Sequence, residues 1–182
     1  MKTTLEIEFK TKISEKKYLE LIKMFDLEKD IFKQTNHYFD TKKQDIVKND
    51  FILRIRQKGE NYKLTSKEHT ENGTIERHIK LSNEEAKKMI ESGFDASIIN
   101  LSFKVFKVAE LTTYRVKMPY KDGVLFFDKN TYYDTIDFEI EYEANSMSQG
   151  EIDFKSFLVE QGIPFVKMKS KTKRAYQMIN SI

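Results

Sequence analysis

Apolar and polar residues alternate with a period of two along most of this chain, and a few segments with helical spacing interrupt that alternation. Period-two runs at 4–11, 36–40, 51–58, 62–67, 74–81, 113–119, 123–128, 135–144 and 165–171 predict strands. Turn signals separate several of them, notably Lys58-Gly59-Glu60-Asn61, Glu71-Asn72-Gly73 and Lys121-Asp122-Gly123. Four helices are predicted. Residues 14–26 follow Ser14 and space Tyr18, Leu21, Ile22 and Phe25 along one side, and 83–92 open on a Ser82/Glu85 capping box and stop before Gly93. Residues 149–161 begin after Ser148, bury Phe154, Phe157 and Leu158 and end at Gly162; 172–180 carry Ala175, Tyr176 and Ile179. Eight or nine strands with short helices between them predict an α+β chain, a mostly antiparallel barrel or curled sheet with helices around it.

Composition narrows the class. A chain of 182 residues, with no repeat or linker composition, fits one domain over 1–182. Without cysteine there is no disulfide scaffold, thiol catalysis or Cys-ligated zinc. No apolar run approaches the ~18 residues of a spanning helix, and residues 1–12 lack a signal-peptide pattern. A soluble, cytoplasmic protein with no membrane partner is expected. Charged residues make up 34%, against about 25% in ordinary globular domains. Yet 32 Lys and Arg nearly cancel 29 Asp and Glu, leaving +3. That balance offers no basic field for a stable nucleic-acid complex.

The charge is sorted by strand. Leu5, Ile7 and Phe9 oppose Glu6, Glu8 and Lys10; Leu53 and Ile55 oppose Arg54, Arg56 and Lys58. Residues 62–67 offer Lys63, Thr65 and Lys67, residues 114–118 offer Arg115 and Lys117, and residues 168–171 offer Lys169 and Lys171. In 136–143, Ile136, Phe138, Ile140 and Tyr142 oppose Asp137, Glu139, Glu141 and Glu143; Glu76 and Asp128 fall on similar faces by parity. Such faces form either the solvated outside of a sheet or the lining of a wet channel for an ionic ligand, because a dry lumen could not hold unpaired charge. Periodicity alone does not choose between them.

Residue type adds chemistry. Residues i and i+2 on a strand point the same way, about 6.5–7 Å apart. Glu6/Glu8 and Glu139/Glu141 are two such carboxylate doublets, suited to a hard divalent cation, Mg²⁺ or Mn²⁺. Strands bearing only Arg and Lys match phosphate oxygens. The two sets together are what phosphoryl transfer requires.

These residues resemble the CYTH family of the triphosphate tunnel metalloenzyme superfamily. The resemblance rests on Glu6-Ile7-Glu8-Phe9-Lys10, then Tyr38-Phe39-Asp40-Thr41, Leu53-Arg54-Ile55-Arg56, Leu64-Thr65-Ser66-Lys67, Thr113-Tyr114-Arg115, Asp128, Glu139-Ile140-Glu141 and Lys169-Ser170-Lys171, in that order along the chain. It implies an eight-stranded antiparallel barrel forming a tunnel with the charged faces inward. It further implies that Glu6, Glu8, Glu139 and Glu141 hold the metal. Lys10, Arg54, Arg56, Lys67, Arg115, Lys117, Lys169 and Lys171 would bind the triphosphate, and Asp128 would orient a basic neighbour or a water. Glu139, Glu141, Asp128 and Lys10 are then the expected catalytic set. One departure is the segment 74–78, which keeps Glu76 but lacks the arginine two positions ahead of it; Arg77 faces outward by parity.

The expected activity is metal-dependent hydrolysis of a small-molecule triphosphate, releasing orthophosphate. A class IV adenylyl cyclase and a non-catalytic polyphosphate- or nucleotide-binding module are the alternatives. The scattered His37, His69 and His78 are expected to be structural or at the surface, Tyr38 to be core, and residues 41–50 to be a loop. Oligomeric state is not legible.

Overall fold

The computed structural model of the chain describes residues 2–71 and 73–179, the last two of these by backbone only. Asn72 of the predicted 71–73 turn and the Ile179 side chain therefore lie outside the described residues. Among the described residues nine strands are formed: β1 (Lys2–Ile13), β2 (Phe32–Asp40), β3 (Phe51–Lys58), β4 (Asn61–Thr70), β5 (Gly73–Leu81), the two-residue β6 (Phe94–Asp95), β7 (Lys104–Tyr120), β8 (Gly123–Tyr132) and β9 (Thr135–Ala144). Five helices accompany them: α1 (Glu15–Met24), α2 (Asp45–Lys48), α3 (Asn83–Ser92), α4 (Met147–Glu160) and α5 (Lys171–Ile179). The strand order is β2-β3-β4-β5-β1-β9-β8-β7-β6, and β2 also pairs with β7. Eight strands thus close on themselves in an antiparallel β-barrel, with β6 as a short addition to β7. No helix among the described residues is long and apolar enough to cross a membrane.

Local chemistry accounts for the boundaries. Ser14 caps α1 by accepting the Lys17 amide, and Ser82 with Glu85 forms the expected capping box at α3. Gly93 ends α3 at φ 71, where a Cβ would lie 2.2 Å from the Val105 carbonyl oxygen, so only glycine fits. The tight hairpins β3–β4, β7–β8 and β8–β9 turn at Gly59, Lys121 and Tyr133, each with positive φ.

Four sequence expectations need correction. The cap of α4 is Ser146, which accepts the Gln149 amide, and not Ser148. The start of β7 lies at Lys104 rather than Thr113, because Phe106 and Val108 are half-buried on the face opposite Val105, Ala109 and Leu111 and blur the alternation. The run 165–171 forms no strand; it is tied to β1 at Val166, whose amide donates to Thr11 Oγ1 at 2.8 Å and whose carbonyl accepts from Lys12, and Lys171 already opens α5. Within 41–50 the chain forms α2 rather than plain loop.

The chain resolves into two compact units, each assembled from non-contiguous segments. The first comprises residues 1–5, 34–112 and 170–182; the second comprises 6–33 and 113–169. Each has its own apolar core. In the first, Phe39, Leu53, Ile55, Leu64 and Val105 pack with Ala86 of α3. In the second, Ile13, Leu125, Phe127, Ile140 and Tyr142 pack with Leu21 of α1 and Phe154 and Phe157 of α4. In both, some alternate residues of the same strands are buried and polar, Arg54, Thr65 and Lys67 in the first and Asp128, Glu139 and Glu141 in the second.

Candidate functional site

In the second unit β9 lies between β1 and β8, so its acidic face meets side chains from both neighbours. Register sets Glu141 opposite Lys10 of β1 and Phe126 of β8, and Glu139 opposite Lys12 and Asp128. Asp128, Glu139 and Glu141 are all buried and offer oxygens within 4.8 Å of one another. Three carboxylates so crowded repel unless a cation lies among them. The protein supplies one: Arg115 of β7 donates from Nε and Nη2 to the two oxygens of Asp128, at 2.7 and 2.6 Å, and from Nη2 also to Glu141. Its guanidinium stacks 4.4 Å from the Phe126 ring centre. Burial works against the Arg115 charge, but Asp128 and Glu141 outweigh it and raise its pKa.

Glu141 responds differently. Burial, with Glu8 and Asp128 nearby, pushes its carboxyl up to about 7 against the pull of Arg115 and Lys10. Glu8 is itself held by Lys10, whose Nζ lies 2.6 Å from Oε1. Behind Glu139 runs a buried relay. Asn130 Nδ2 donates to Glu139 at 3.1 Å and to Asp137 at 3.0 Å, Thr113 donates to Asn130 Oδ1 at 2.8 Å, and Tyr132 donates to Asp137 at 2.6 Å. An all-oxygen donor set of this density suits a hard divalent cation, with Asp128, Glu139 and Glu141 as its ligands and Glu8 beside them.

The first unit holds a basic counterpart on β3, β4 and β5. Arg54 and Lys67 are buried and share Glu76, Arg54 at 3.7 Å and Lys67 in closer contact. Burial pushes the Glu76 carboxyl up, yet Lys67, Arg54 and His78 hold it down at about 2. Lys63, opposite Arg56 in the register, has its pKa lowered by burial and by Arg56 and Arg54. Arg56 donates to Asn36 Oδ1 at 2.9 Å. Arg54, Arg56, Lys63 and Lys67 thus form a basic cluster around Glu76 whose donors suit an anion.

The expected site residues are therefore distributed as follows. Glu8, Lys10, Arg115, Asp128, Glu139 and Glu141 come together in the second unit, where Glu6 is half-buried on the same face of β1 as Glu8, and Lys117 and Lys169 are exposed. Arg54, Arg56 and Lys67 come together in the first, where Lys171 is buried at the start of α5. Arg77 pairs with Glu68 at 3.1 Å, outside this cluster. Tyr38 is fully buried, 6.5 Å from the Tyr176 ring. Asn130, Asp137, Lys63 and His78 were not singled out as site residues, although each shares strand parity with one that was: Asn130 with Asp128, Asp137 with Glu139, Lys63 with Lys67, His78 with Glu76.

A family model for the CYTH domain matches residues 4–176. The chain belongs to the CYTH domain family. It is 30% identical over 188 residues to a protein of Bacillus subtilis (strain 168) named "Putative triphosphatase YjbK", covering 97% of each chain. The crystal structure of a "putative adenylate cyclase" from Bacillus halodurans is similar, with a TM-score of 0.88 and 30% identity over 96% of this chain and 98% of that one. HpAC1 from Hippeastrum, which carries a dominant triphosphatase activity, shares the fold at a TM-score of 0.73 and 17% identity, covering 96% of each chain.

Proposed function

We propose that this CYTH protein is a metal-dependent triphosphatase that cleaves the terminal phosphate from a small-molecule triphosphate. The observation that carries the reading is the buried trio Asp128, Glu139 and Glu141, with oxygens within 4.8 Å of one another, in a chain that also buries Arg54, Lys67 and Arg115. The 30% identity to the B. subtilis protein named "Putative triphosphatase YjbK" supports it.

Asp128, Glu139 and Glu141, with Glu6 and Glu8, would hold Mg²⁺ or Mn²⁺. A divalent cation there would supply charge neutralisation at phosphate oxygens. Arg54, Arg56, Lys67, Lys10, Arg115, Lys117, Lys169 and Lys171 would bind the anion. Guanidinium forks and ammonium groups neutralise charge as it builds on the bridging and terminal oxygens, which is where phosphoryl transfer needs stabilisation. Asp128 aims Arg115, so that this cation is oriented before the anion arrives. Water attacks the terminal phosphorus, the bridging P–O bond breaks, and orthophosphate and the shortened chain leave with the protons of the water.

The second reading is cyclase chemistry, favoured by the likeness to the B. halodurans protein described as a putative adenylate cyclase. There the ribose 3′-hydroxyl of ATP attacks and pyrophosphate leaves. Tripolyphosphate, ATP and thiamine triphosphate, each with Mg²⁺ and Mn²⁺ and with products identified, separate the two. Orthophosphate is expected; pyrophosphate with cyclic AMP would establish the cyclase, and ligand-induced stabilisation without product would leave a binding module.

A further inference from the structure

The basic cluster of the first unit is arranged in rows across three strands. Register places Arg54 of β3 opposite Thr65 of β4, and Thr65 opposite His78 of β5; one step along, Lys67 stands opposite Glu76. Glu76 and His78 thus share a face of β5. His78 Nε2 lies 3.0 Å from Oε2 of Glu76, and Nδ1 lies 3.2 Å from the Thr65 hydroxyl. The other Glu76 oxygen, Oε1, faces Lys67 and Arg54. Thr65 and Glu76 are buried and the His78 side chain is 14% exposed.

This geometry sets the imidazole tautomer. A carboxylate oxygen only accepts, so Nε2 must carry the hydrogen; Nδ1 then accepts from the Thr65 hydroxyl, and a neutral ring satisfies both partners. Burial, and cations at Lys63, Arg54 and Lys67, favour that neutral form over the pull of Glu76. The consequence falls on Glu76. With Oε2 engaged by His78, the carboxylate is tied on both sides, and its Oε1 is kept facing Lys67 and Arg54.

We infer that His78 is a positioning residue for anion binding, locking Glu76 so that Arg54 and Lys67 are presented in a fixed arrangement. The inference rests on the reading that these two cations bind the phosphate chain. It goes beyond that reading by giving a role to a side chain that would touch neither phosphate nor metal.

The test titrates tripolyphosphate into the full chain by calorimetry at pH 8 in chelator, using wild type, His78→Leu, His78→Gln and Thr65→Val. Steady-state kinetics with Mg²⁺ run in parallel. His78→Leu should bind about tenfold more weakly and raise KM by a similar factor, while kcat stays within about threefold. His78→Gln, whose amide nitrogen can donate from the Nε2 position, should remain within about threefold of wild type, and Thr65→Val should fall between. Binding by folded His78→Leu within about twofold of wild type, or a His78→Gln as weak as His78→Leu, overturns the inference. If the wild type neither binds nor hydrolyses tripolyphosphate, it is the triphosphatase reading that fails. Imidazole ¹⁵N spectra then judge His78 alone: the Nε2–H tautomer supports its hold on Glu76, and an Nδ1–H or averaged ring overturns it.

Discussion

Asp128 grips Arg115 through two parallel hydrogen bonds of 2.7 and 2.6 Å, and both residues are buried. The pair is more than an isolated salt bridge, because the same guanidinium also meets Glu141. Removing the cation would leave Asp128, Glu139 and Glu141 crowded without the guanidinium that offsets their repulsion. Arg115→Met should therefore destabilise the metal-free protein by about 3–5 kcal/mol, the range for breaking one partner out of a buried ion pair. Arg115→Lys should recover only part of that, since an ammonium cannot fork across both Asp128 oxygens. Urea unfolding in chelator measures both. A loss below about 1 kcal/mol in Arg115→Met would show that the carboxylates are solvated in solution.

Two of the buried glutamates, Glu141 and Glu76, give opposite pH dependences. Glu141, raised to about 7 from an ordinary 4.5, binds its proton more tightly folded than unfolded. Its contribution is fully present below pH 4.5 and is lost as pH climbs through 7. A shift of that size corresponds to about 3 kcal/mol. Glu76, lowered to about 2, contributes above 4.5 and loses its contribution as pH falls through 2. Metal-free protein should therefore lose stability between pH 5 and 7.5, with Glu141→Gln flattening that limb and Glu76→Gln flattening the acid limb. Equilibrium unfolding across pH reads this, and an unchanged neutral limb in Glu141→Gln would show that another group causes it.

Strand parity made much of this legible. Glu8, Lys10, Arg54, Lys67, Asp128, Glu139 and Glu141 fall on charged faces because i and i+2 share a side, and the structure buries or half-buries all of them. Parity could not tell an inward from an outward ionic face; the burial of Arg54, Asp128 and Glu139 decides that, and the family resemblance had pointed the same way. Parity also misled at Lys169, where alternation survives without a partner strand. Apolar spacing overreached at Leu5 and Ile136, which lie near strand ends and are 57% exposed each. The partners that hold the acids and bases in place, Asn130, Thr113 and His78, were illegible as such. Their roles depend on which side chains the β4–β5, β7–β8 and β8–β9 pairings set side by side, which hydrophobic patterning does not specify.

Asp40 organises a segment that reads as loop from its composition. Its carboxylate accepts the amides of Thr41 and Ile46 at 2.8 Å and of Val47 at 3.1 Å, and the hydroxyl of Tyr176 at 3.2 Å. It thereby caps the short α2 and ties α5 to it. Asp40→Ala should cost about 3 kcal/mol and strip hydrogen-exchange protection from the Ile46 and Val47 amides. Tyr176→Phe should cost about 1 kcal/mol and leave those amides protected. Retained protection in Asp40→Ala would show that α2 is held by packing of Ile46 instead.

Asn130 is the most demanding position in the acidic cluster. Its amide is fully buried, accepts from Thr113 and donates to Asp137 and Glu139, so its orientation is fixed at three points. Asn130→Asp keeps the shape but replaces the donor with an acceptor facing two carboxylates. That substitution should cost about 3 kcal/mol or more in chelator, whereas Thr113→Val, which removes one neutral hydrogen bond, should cost about 1 kcal/mol. A divalent cation offers the added carboxylate a partner, so Mn²⁺ should raise the melting temperature of Asn130→Asp more than that of wild type. The two measurements bear on different claims. An unaltered stability in chelator would mean that the amide does not face Glu139 and Asp137. A large loss that Mn²⁺ does not relieve would mean that the network is structural and the cation binds elsewhere.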